Sequence, residues 1–451
     1  MHKLSSVARP LLSAGPAVLA LLSLLSCSTI AHSDDPGELT YGPSPRVPDG
    51  KPSWLPTVKW SVASETWPTN VTPKAASGLA VNAFARDLKH PRWLYVLPNG
   101  DVLVAEAATE PTPTWSPRAI IQNWVQRRSG AIVENANRIS LLRDTDGDGV
   151  AEQRSILLEG LRQPFGMALI GDQLYVANTD SVVRFPYRTG DLRIEHKGIK
   201  LIDLPVGHHW TRNLLASPDG AKLYVTIGSG SNAAENGIEK EAGRATILEL
   251  DLATQNSRIF ASGLRNANGM VFEPKKGVLW TVVNERDELG DDVPPDYLTS
   301  VKDGGFYGWP YSYWGKKVDP RVKPQRPDLV ETAIVPDYAV GAHTAPLGLA
   351  YYDRNTLPDQ FREGMFIGQH GSWNRSTYSG YKVIFVPFKD GRPNGPPVDA
   401  LTGFLKDDGS GKAYGRPVGV TIDRKGALLV ADDTGNTVWR VTGEQSPSQA
   451  R

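Results

Sequence analysis

The chain has 451 residues, of which 40% are hydrophobic and 22% are charged, so it is a globular protein that can bury one large core or two ordinary ones. It carries 49 basic and 49 acidic residues, and this balance argues against a partner such as nucleic acid or an anionic surface. The 44 Gly, 35 Pro and 12 Trp residues favour a turn-rich all-β protein.

The first 27 residues have the pattern of an export signal. Lys3 and Arg9 form a short basic region, and residues 10–26 are almost wholly apolar or small. The segment ends at Cys27, the only cysteine of the chain, in an arrangement that resembles the bacterial lipobox. We therefore predict lipidation of Cys27 and an exported, periplasmic protein that meets the membrane only through its lipid anchor. The alternative is an ordinary cleavable signal with an incidental cysteine.

Two flanking segments are predicted to lie outside the folded domain. Residues 28–78 are rich in proline and show no sustained apolar periodicity, which is typical of a tether or an extended N-terminal arm. Residues 444–451 have the composition of a disordered tail. The folded domain is thus expected to span residues 79–443.

One short pattern recurs six times in this domain: an apolar pair, a turn with Gly, Pro, Asn or Asp, and a β-rich strand. Equivalent positions are Leu103, Leu174, Leu223, Leu279, Met365 and Leu428. Each step along the chain is long enough for a four-stranded sheet and a loop, so the repetition predicts a six-bladed β-propeller. The alternative is a pair of β-sandwiches. The longest steps contain residues 285–345 and 370–415, which we expect to form long loops on one face.

The first polar motif in chain order is an acidic turn. Asp144, Asp146 and Asp148 stand at the first, third and fifth positions of a segment that has Gly149 at its sixth position. This spacing matches the start of an EF-hand loop, although Ser155 occupies the twelfth position, where that loop has its bidentate glutamate. We predict a structural Ca²⁺ site, and the alternative is a polar Asp-Gly turn.

Two later loops each bring a basic side chain to the beginning of an apolar strand. His209 follows His208 in the first loop, and Arg265 lies in the second, 56 residues further along the chain. That separation is about one blade step, so the corresponding loops of neighbouring blades can direct both side chains into one channel. A neutral imidazole supplies a base and a guanidinium a fixed positive charge, which suits removal of a proton from an alcohol beside a developing anion.

Several segments together resemble the soluble pyrroloquinoline quinone (PQQ) sugar dehydrogenases, in their sorbosone dehydrogenase-like branch. The segments that carry this resemblance are residues 209–214, 218–220, 224–228, 263–269, 304–310, 369–375 and 415–420. The resemblance extends from about residue 80 to 442 and implies a six-bladed propeller that contains PQQ and Ca²⁺.

The resemblance implies roles for individual residues. His209 would be the general base that takes the proton of a sugar hydroxyl while hydride moves to the quinone. Arg265 would lie over the quinone oxygen, and Asn266 would donate a hydrogen bond to the cofactor. His208 stands where glucose-oxidising relatives have an acidic residue. It is expected to contact the cofactor or to orient His209, and the alternative is a packed loop histidine.

Because PQQ is a tricarboxylate, the resemblance also implies arginines around it. Arg212, Arg375 and Arg416 are the predicted cofactor-binding arginines, and the alternative for Arg375 and Arg416 is a solvated surface pair. The catalytic Ca²⁺ would be held in the acidic loop at Asp287 and Glu288. These residues replace the glycine–proline pair of the relatives, and carboxylate oxygens suit Ca²⁺.

The predicted function is oxidation of an aldose, a sorbosone-like compound or a related sugar aldehyde to a lactone or acid. The sequence has no Cys-x-x-Cys-His haem motif, so electrons are expected to pass to an external quinone or cytochrome. A Ca²⁺-dependent lactonase-type propeller and a non-catalytic binding propeller are the alternatives.

Overall fold

The structure is a computed structural model that describes residues 40–53, 62–113 and 117–444. The predicted signal segment with Cys27 and residues 445–451 of the predicted tail lie outside these described residues.

Four short strands come before the first complete blade. They are β1 (Tyr41–Gly42), β2 (Ala63–Ser64), β3 (Lys74–Ala75) and β4 (Leu79–Ala85). The first three belong to the segment predicted as an extended arm, and each pairs with a strand of the following domain. β1 and β3 therefore add edge strands to blades 4 and 5, and β2 forms a separate two-stranded sheet with Lys412–Ala413.

Blades 1 to 3 each contain four antiparallel strands. Blade 1 comprises β5 (Pro91–Val96), β6 (Val102–Glu106), helix α1 (Pro117–Arg128), β7 (Arg138–Arg143) and β8 (Gln153–Leu158). Blade 2 comprises β9 (Met167–Ile170), β10 (Gln173–Ala177), β11 (Ser181–Pro186) and β12 (Ile199–Asp203). Blade 3 comprises β13 (Leu214–Ala216), β14 (Lys222–Ile227), a 3₁₀ turn (Ile238–Glu241), β15 (Thr246–Asp251) and β16 (Ser257–Ser262).

Blades 4 and 5 contain additional short elements. Blade 4 comprises β17 (Ala267–Glu273), β18 (Val278–Val283), β19 (Pro295–Ser300), an insertion with β20 (Gly305–Phe306), β21 (Ser312–Tyr313), β22 (Lys317–Val318) and α2 (Pro327–Thr332), and β23 (Tyr338–Ala342). Blade 5 comprises β24 (Pro346–Tyr352), a 3₁₀ turn (Asp359–Phe361), β25 (Gly364–Gln369), β26 (Lys382–Lys389), β27 (Arg392–Pro393) and β28 (Val398–Thr402), followed by β29 (Lys412–Ala413).

Blade 6 joins the two ends of the domain. It comprises β30 (Pro417–Ile422), β31 (Leu428–Asp432), β32 (Thr437–Gly443) and, as its outermost strand, β4. The innermost strands contact one another around the ring, and β30 of blade 6 contacts β5 of blade 1. The predicted all-β six-bladed propeller is confirmed, and the alternative pair of β-sandwiches is excluded. Neither helix of the described ranges has the length and apolar character needed to cross a membrane.

The six repeated positions all occupy the second strand of a blade. Leu103, Leu174, Leu223, Met365 and Leu428 are fully buried, and Leu279 is 4% exposed. Because each blade packs between two neighbours, both faces of this strand are covered, as the fully buried β6 illustrates. The recurrent apolar strand in the sequence follows from this packing.

The strand directions place two sets of connections at one end of the central channel. One set leads into the innermost strand of each blade, and the other joins the second strand to the third. The insertion between β19 and β23 supports this end from outside, because Trp309 Nε1 donates a 3.0 Å hydrogen bond to the carbonyl of Asn232. Its Asp319 and Arg321 also pair with Arg286 and Glu288 of the β18–β19 connection.

Candidate active site

A cavity of about 620 Å³ lies at the end of the channel where the innermost strands begin. The predicted site residues that line it are His208, His209, Arg265, Asn266, Asp287, Glu288 and Arg416. Its lining also includes residues that sequence reasoning did not select: Asn232, Glu285, Asp296, His343 and His370. Blades 3 to 6 contribute all of these side chains, which lie up to 208 residues apart in the chain.

His209 precedes β13 and is held in one tautomer. Its Nδ1 is 2.8 Å from the carbonyl oxygen of Ser229, which can only accept, so Nδ1 carries the ring proton. Burial and the charge of Arg265 hold the pKa of His209 well below its usual value. The ring is therefore neutral at physiological pH, and its Nε2 is available as a base on the cavity wall.

Arg265 and Asn266 precede β17 in the next blade. Arg265 is buried, and its Nη1 donates a 2.6 Å hydrogen bond to the carbonyl of Glu285, while its Nη2 donates to Asn232 Oδ1 at 3.0 Å. The Oδ1 atom of Asn266 is buried and has no hydrogen-bond partner among the described residues. The structure thus brings His209, Arg265 and Asn266 together around one cavity.

His208 and Arg212 occupy different environments from His209. The His208 side chain is exposed, and its ring lies 4.8 Å from that of His209 in an edge-to-face arrangement. Arg212 is fully buried and does not line the cavity. Its guanidinium donates to the carbonyls of Pro205, His209 and Thr211, so it holds the loop that carries His209. Burial, with a contribution from Arg244, lowers the pKa of Arg212 to about 9.

Of the two remaining predicted arginines, one lines the cavity and the other does not. Arg416 lines the cavity, and its Nε and Nη2 donate 2.9 Å hydrogen bonds to the carbonyls of His370 and Gly371, while its Nη1 has no partner among the described residues. Arg375 lies outside the lining. Its guanidinium donates to the carbonyl of Asp291 and pairs with the Asp292 carboxylate at 2.7 Å. Arg375 therefore stabilises the β18–β19 connection rather than facing the cavity.

The predicted calcium ligands Asp287 and Glu288 line the cavity, but both carboxylates face cations. Asp287 Oδ1 lies 3.2 Å from His343 Nδ1, and its other oxygen lies 3.6 Å from Arg265. Glu288 pairs with Arg321 at 2.6 Å. Burial alone would raise the pKa of Asp287, but the hydrogen bond from His343 and the charge of Arg265 lower it. These contacts do not fit the prediction that the two carboxylates hold Ca²⁺.

His343 is a buried cation of the cavity wall that sequence reasoning missed. Its Nε2 is 2.9 Å from the carbonyl oxygen of Gly290, and its Nδ1 contacts Asp287, so both ring nitrogens face acceptors. Burial opposes protonation, but Asp287 outweighs it and raises the pKa of His343. The residue also has a φ of 57°, a left-handed conformation that is uncommon for a side chain of this size.

Two carboxyl groups at the cavity have raised pKa values. Burial raises the pKa of Glu285 to about 7 and that of Asp296 to about 6. Asp296 accepts hydrogen bonds from the backbone N–H groups of Glu285 and Ala345, both at 2.8 Å. Glu285 Oε1 is buried without a partner among the described residues. Glu285 Oε1 is thus an unsatisfied buried acceptor rather than an oxygen exposed on the cavity surface.

The acidic turn lies at the opposite end of the domain, in the connection between the third and fourth strands of blade 1. Ligand-capable oxygens of Asp144, Asp146, Asp148 and Glu152 lie within 4.8 Å of one another. Lys425 reaches the same turn, with Nζ 3.5 Å from Asp144 Oδ2. Glu152, which the EF-hand comparison did not select, completes the cluster from the ninth position. The structural Ca²⁺ site stays a prediction.

A family model described as TrAA12-like matches residues 73–296 and 329–444. An uncharacterized protein of Borreliella burgdorferi is 30% identical over 316 residues, an overlap that covers 66% of this chain and 80% of that protein. The pyrroloquinoline quinone-dependent pyranose dehydrogenase of Coprinopsis cinerea is 21% identical over 364 residues, which cover 67% of this chain and 49% of that protein, so the chain spans about half of its length.

The fold is also similar to that of a solved structure. The Trichoderma reesei protein of carbohydrate-active enzyme family AA12 superposes with a TM-score of 0.68 and 20% identity, covering 84% of this chain and 100% of that one. This likeness concerns the fold alone, whereas the family model covers most of the propeller. The chain belongs to the TrAA12-like family.

Proposed function

We propose that the cavity binds PQQ and that the protein oxidises an aldose, a sorbosone-like compound or a related sugar aldehyde to a lactone or acid. The observation that carries this proposal is the neutral His209, whose Nε2 lines the cavity beside the buried Arg265. The pyranose dehydrogenase of Coprinopsis cinerea, described as dependent on PQQ, supports the choice of cofactor.

The residues of the cavity fit a planar tricarboxylate. Arg416 offers an uncommitted Nη1, and Arg265 and His343 add positive charge to the same wall. Trp373 also lines the cavity with 46% of its surface exposed, which leaves an aromatic face for a ring system. Arg416 would hold a carboxylate of the cofactor, and Arg265 would lie near the quinone.

In the proposed reaction, bound PQQ supplies the acceptor for a hydride. His209 Nε2 takes the proton of the substrate hydroxyl, and the carbonyl of Ser229 stabilises the resulting imidazolium through Nδ1. Arg265 stabilises negative charge that develops nearby, because it is buried and its position is determined by Asn232 and Glu285. Arg212 keeps the His209 loop in place.

Calcium belongs to the proposal with a different ligand from those predicted. Asp287 and Glu288 are already paired with cations, whereas Glu285 Oε1 has no partner among the described residues and would turn toward the cavity to reach a metal ion. A hard cation suits that oxygen and would add Lewis-acid charge. The roles of His209 and Arg265 do not depend on it.

The buried acceptors of the wall bear on the choice between a dehydrogenase and a lactonase. Asn266 Oδ1 and Glu285 Oε1 have no partner among the described residues, and both atoms are covered. A lactonase-type site would need several open carboxylates on one metal, and among the described cavity residues Glu285 alone leaves a buried carboxylate oxygen without a partner. The dehydrogenase is therefore favoured over the lactonase alternative.

The proposed setting of the enzyme is the periplasm, with a lipid anchor at Cys27. Its support is the pattern of residues 1–27 alone. An anchor would keep the enzyme near a membrane quinone or a cytochrome, either of which could take the electrons.

The test is to titrate PQQ into metal-free protein, with and without Ca²⁺, and to follow binding and dye reduction with a panel of aldoses and sugar aldehydes. We expect binding and turnover, and neither would occur if the cavity served another purpose.

Arg416→Ala should weaken PQQ binding by roughly 10- to 100-fold, the effect of losing one charged hydrogen bond. Arg375→Ala should not weaken it, and equal weakening by both variants would restore the role that the sequence predicted for Arg375. Arg188→Ala, at an 87% exposed side chain, is the neutral control.

A further inference from the structure

His370 lines the cavity beside His208, His209 and His343, and neither the sequence nor the proposed reaction gives it a role. It lies in the connection between β25 and β26 of blade 5. Its Nε2 is 2.8 Å from Oδ2 of Asp433, a fully buried carboxylate in the β31–β32 connection of blade 6. The contact orients the ring, because the imidazole cannot turn without breaking it.

The charges around Asp433 determine which nitrogen of His370 carries the proton. Arg92 pairs with the same carboxylate, and His90 Nε2 lies 3.4 Å from it. Burial would raise the pKa of Asp433, but His370, His90 and Arg92 hold it well below its usual value. The carboxylate is therefore ionised and can only accept, so Nε2 of His370 is protonated and Nδ1 presents a lone pair.

The lone pair on Nδ1 faces the cavity. Within the described part of the chain Nδ1 has no hydrogen-bond partner, it is not one of the buried unpartnered atoms, and the residue lines the cavity. Burial and the charge of Arg416 lower the pKa of His370 to about 3, so the ring of the ligand-free protein is neutral.

Arg416 is next to this nitrogen. Its Nε donates to the carbonyl of His370 itself, and its Nη1 is open to the cavity. The guanidinium also lies 5.4 Å from the ring of Tyr381, whose pKa burial raises to about 12 and which is thus uncharged. The groups around His370 that carry charge are Arg92, Arg416 and the ionised Asp433. Asp432 accepts from the Arg416 backbone N–H, and burial raises its pKa to about 6, so below that pH it is mostly protonated and one net positive charge faces an anion.

A carboxylate bound to Arg416 would meet the lone pair of Nδ1, which repels it. Protonation of Nδ1 turns this repulsion into a second hydrogen bond, and the anion offsets the charge of Arg416 that disfavours an imidazolium. We propose that His370 binds a carboxylate of PQQ together with Arg416, and that the protein takes up a proton at His370 Nδ1 when the cofactor binds. One proton is consumed, and no electron is transferred.

This inference rests on the proposed function, and its test measures binding rather than turnover. Titration calorimetry of PQQ in buffers of different ionisation enthalpy gives the number of protons taken up. We expect close to one proton near pH 6, and an apparent Kd that increases up to roughly tenfold per pH unit as the pH rises through the pKa of His370 in the complex.

Two variants distinguish proton uptake at His370 from uptake at His209. His370→Gln keeps a donor toward Asp433 but cannot be protonated, so proton uptake should fall by most of its value. His209→Gln removes an imidazole from the opposite wall and should leave most of the uptake in place. If His370→Gln does not fold, His370→Asn provides the same measurement.

The outcomes are distinguishable. If wild-type protein does not bind PQQ, the proposed function is wrong, and this inference falls with it. If PQQ binds without proton uptake, or if uptake survives His370→Gln, the proposed function stands and the role of His370 is refuted. An increase in KM for sugar on His370→Gln without a change in PQQ binding would instead assign Nδ1 to a substrate hydroxyl.

Discussion

Gly228 allows His209 and Asn266 to lie against the same stretch of backbone. A Cβ at this position would lie 2.4 Å from Asn266 Oδ1 and 2.6 Å from the Cβ of His209. We expect Gly228→Ala to displace both side chains and to lower kcat by roughly tenfold to a hundredfold, the effect of a small misplacement of catalytic groups. Steady-state kinetics with PQQ and a sugar measures this.

Alanine at a second glycine, Gly277, is the control that distinguishes displacement of His209 and Asn266 from a general effect of backbone strain. Gly277 has a φ of 66° and no atom within 4 Å of an added Cβ. Gly277→Ala should cost roughly 1–2 kcal/mol of stability because of its left-handed backbone, with turnover retained. Equal turnover in both variants would show that the contact at Gly228 does not position the base.

Glu285 should make the stability of the metal-free protein depend on pH. Burial raises its pKa from 4.5 to about 7, so between these values the folded state holds a proton that the unfolded state loses. The contribution of Glu285 to stability therefore falls as the pH rises through this range. The free energy of unfolding of Glu285→Gln, relative to that of wild type, should therefore increase by roughly 1–3 kcal/mol from about pH 4.5 to pH 8. Urea unfolding in EDTA measures this difference.

Glu159→Gln is the control for this pH dependence. The Glu159 side chain is 63% exposed, so its removal should shift stability equally at both pH values. If the free energies of unfolding of Glu285→Gln and wild type differ by the same amount at both pH values, burial does not raise the pKa of Glu285.

At the scale of elements, one arm residue is joined to the loop that carries Arg416. Trp67 is buried, and its Nε1 donates a 2.7 Å hydrogen bond to Asp432 Oδ2. The other oxygen of Asp432 accepts from the backbone N–H of Arg416 at 2.7 Å. Trp67 also stacks on Tyr414, with ring centroids 4.9 Å apart. The arm thus helps to hold a wall of the cavity.

Trp67→Ala should therefore destabilise the propeller. We expect a loss of roughly 3–5 kcal/mol in the free energy of unfolding, because a large buried side chain leaves a cavity and Asp432 loses a donor. Trp124→Ala, at a 51% exposed tryptophan of α1, should change stability by at most about 0.5 kcal/mol. Similar losses in denaturant titrations of the two variants would mean that the arm does not dock as described.

Elements that depend on local sequence could be predicted. A turn followed by an apolar strand is a local signal, and the position equivalent to Leu174 identified the second strand of each blade. The loops of His209 and Arg265 were found similarly, because each directly precedes an innermost strand. The arm was predicted only as an extended segment, because its pairing partners are distant in the chain.

The rest of the cavity depends on contacts between remote residues. Arg375 and Arg416 both follow glycine-containing loops, and what separates them is Asp292, which pairs with Arg375 from 83 residues away. His343 has no sequence motif of its own, and its charge comes from Asp287, 56 residues earlier. Such pairs follow from the order of the blades around the ring, which residue types and spacing do not specify.

In the whole molecule, the closed ring brings the residues of the candidate site together. β4 pairs with β32, so the two ends of the domain form one blade, and the innermost strands surround a single channel. His209 precedes the innermost strand of blade 3 and Arg416 that of blade 6, which is half a turn of the six-bladed ring. A cofactor that contacts both would therefore span the channel, with its reacting end toward His209.

The most direct measurement is PQQ binding and sugar oxidation by His209→Ala beside the wild type. We expect the variant to bind PQQ with an affinity similar to that of the wild type, since its carboxylates are assigned to the opposite wall. Its kcat should fall by roughly 10²- to 10⁴-fold, the usual contribution of a general base. Turnover at the wild-type rate with PQQ bound would contradict the assignment of His209 as the base.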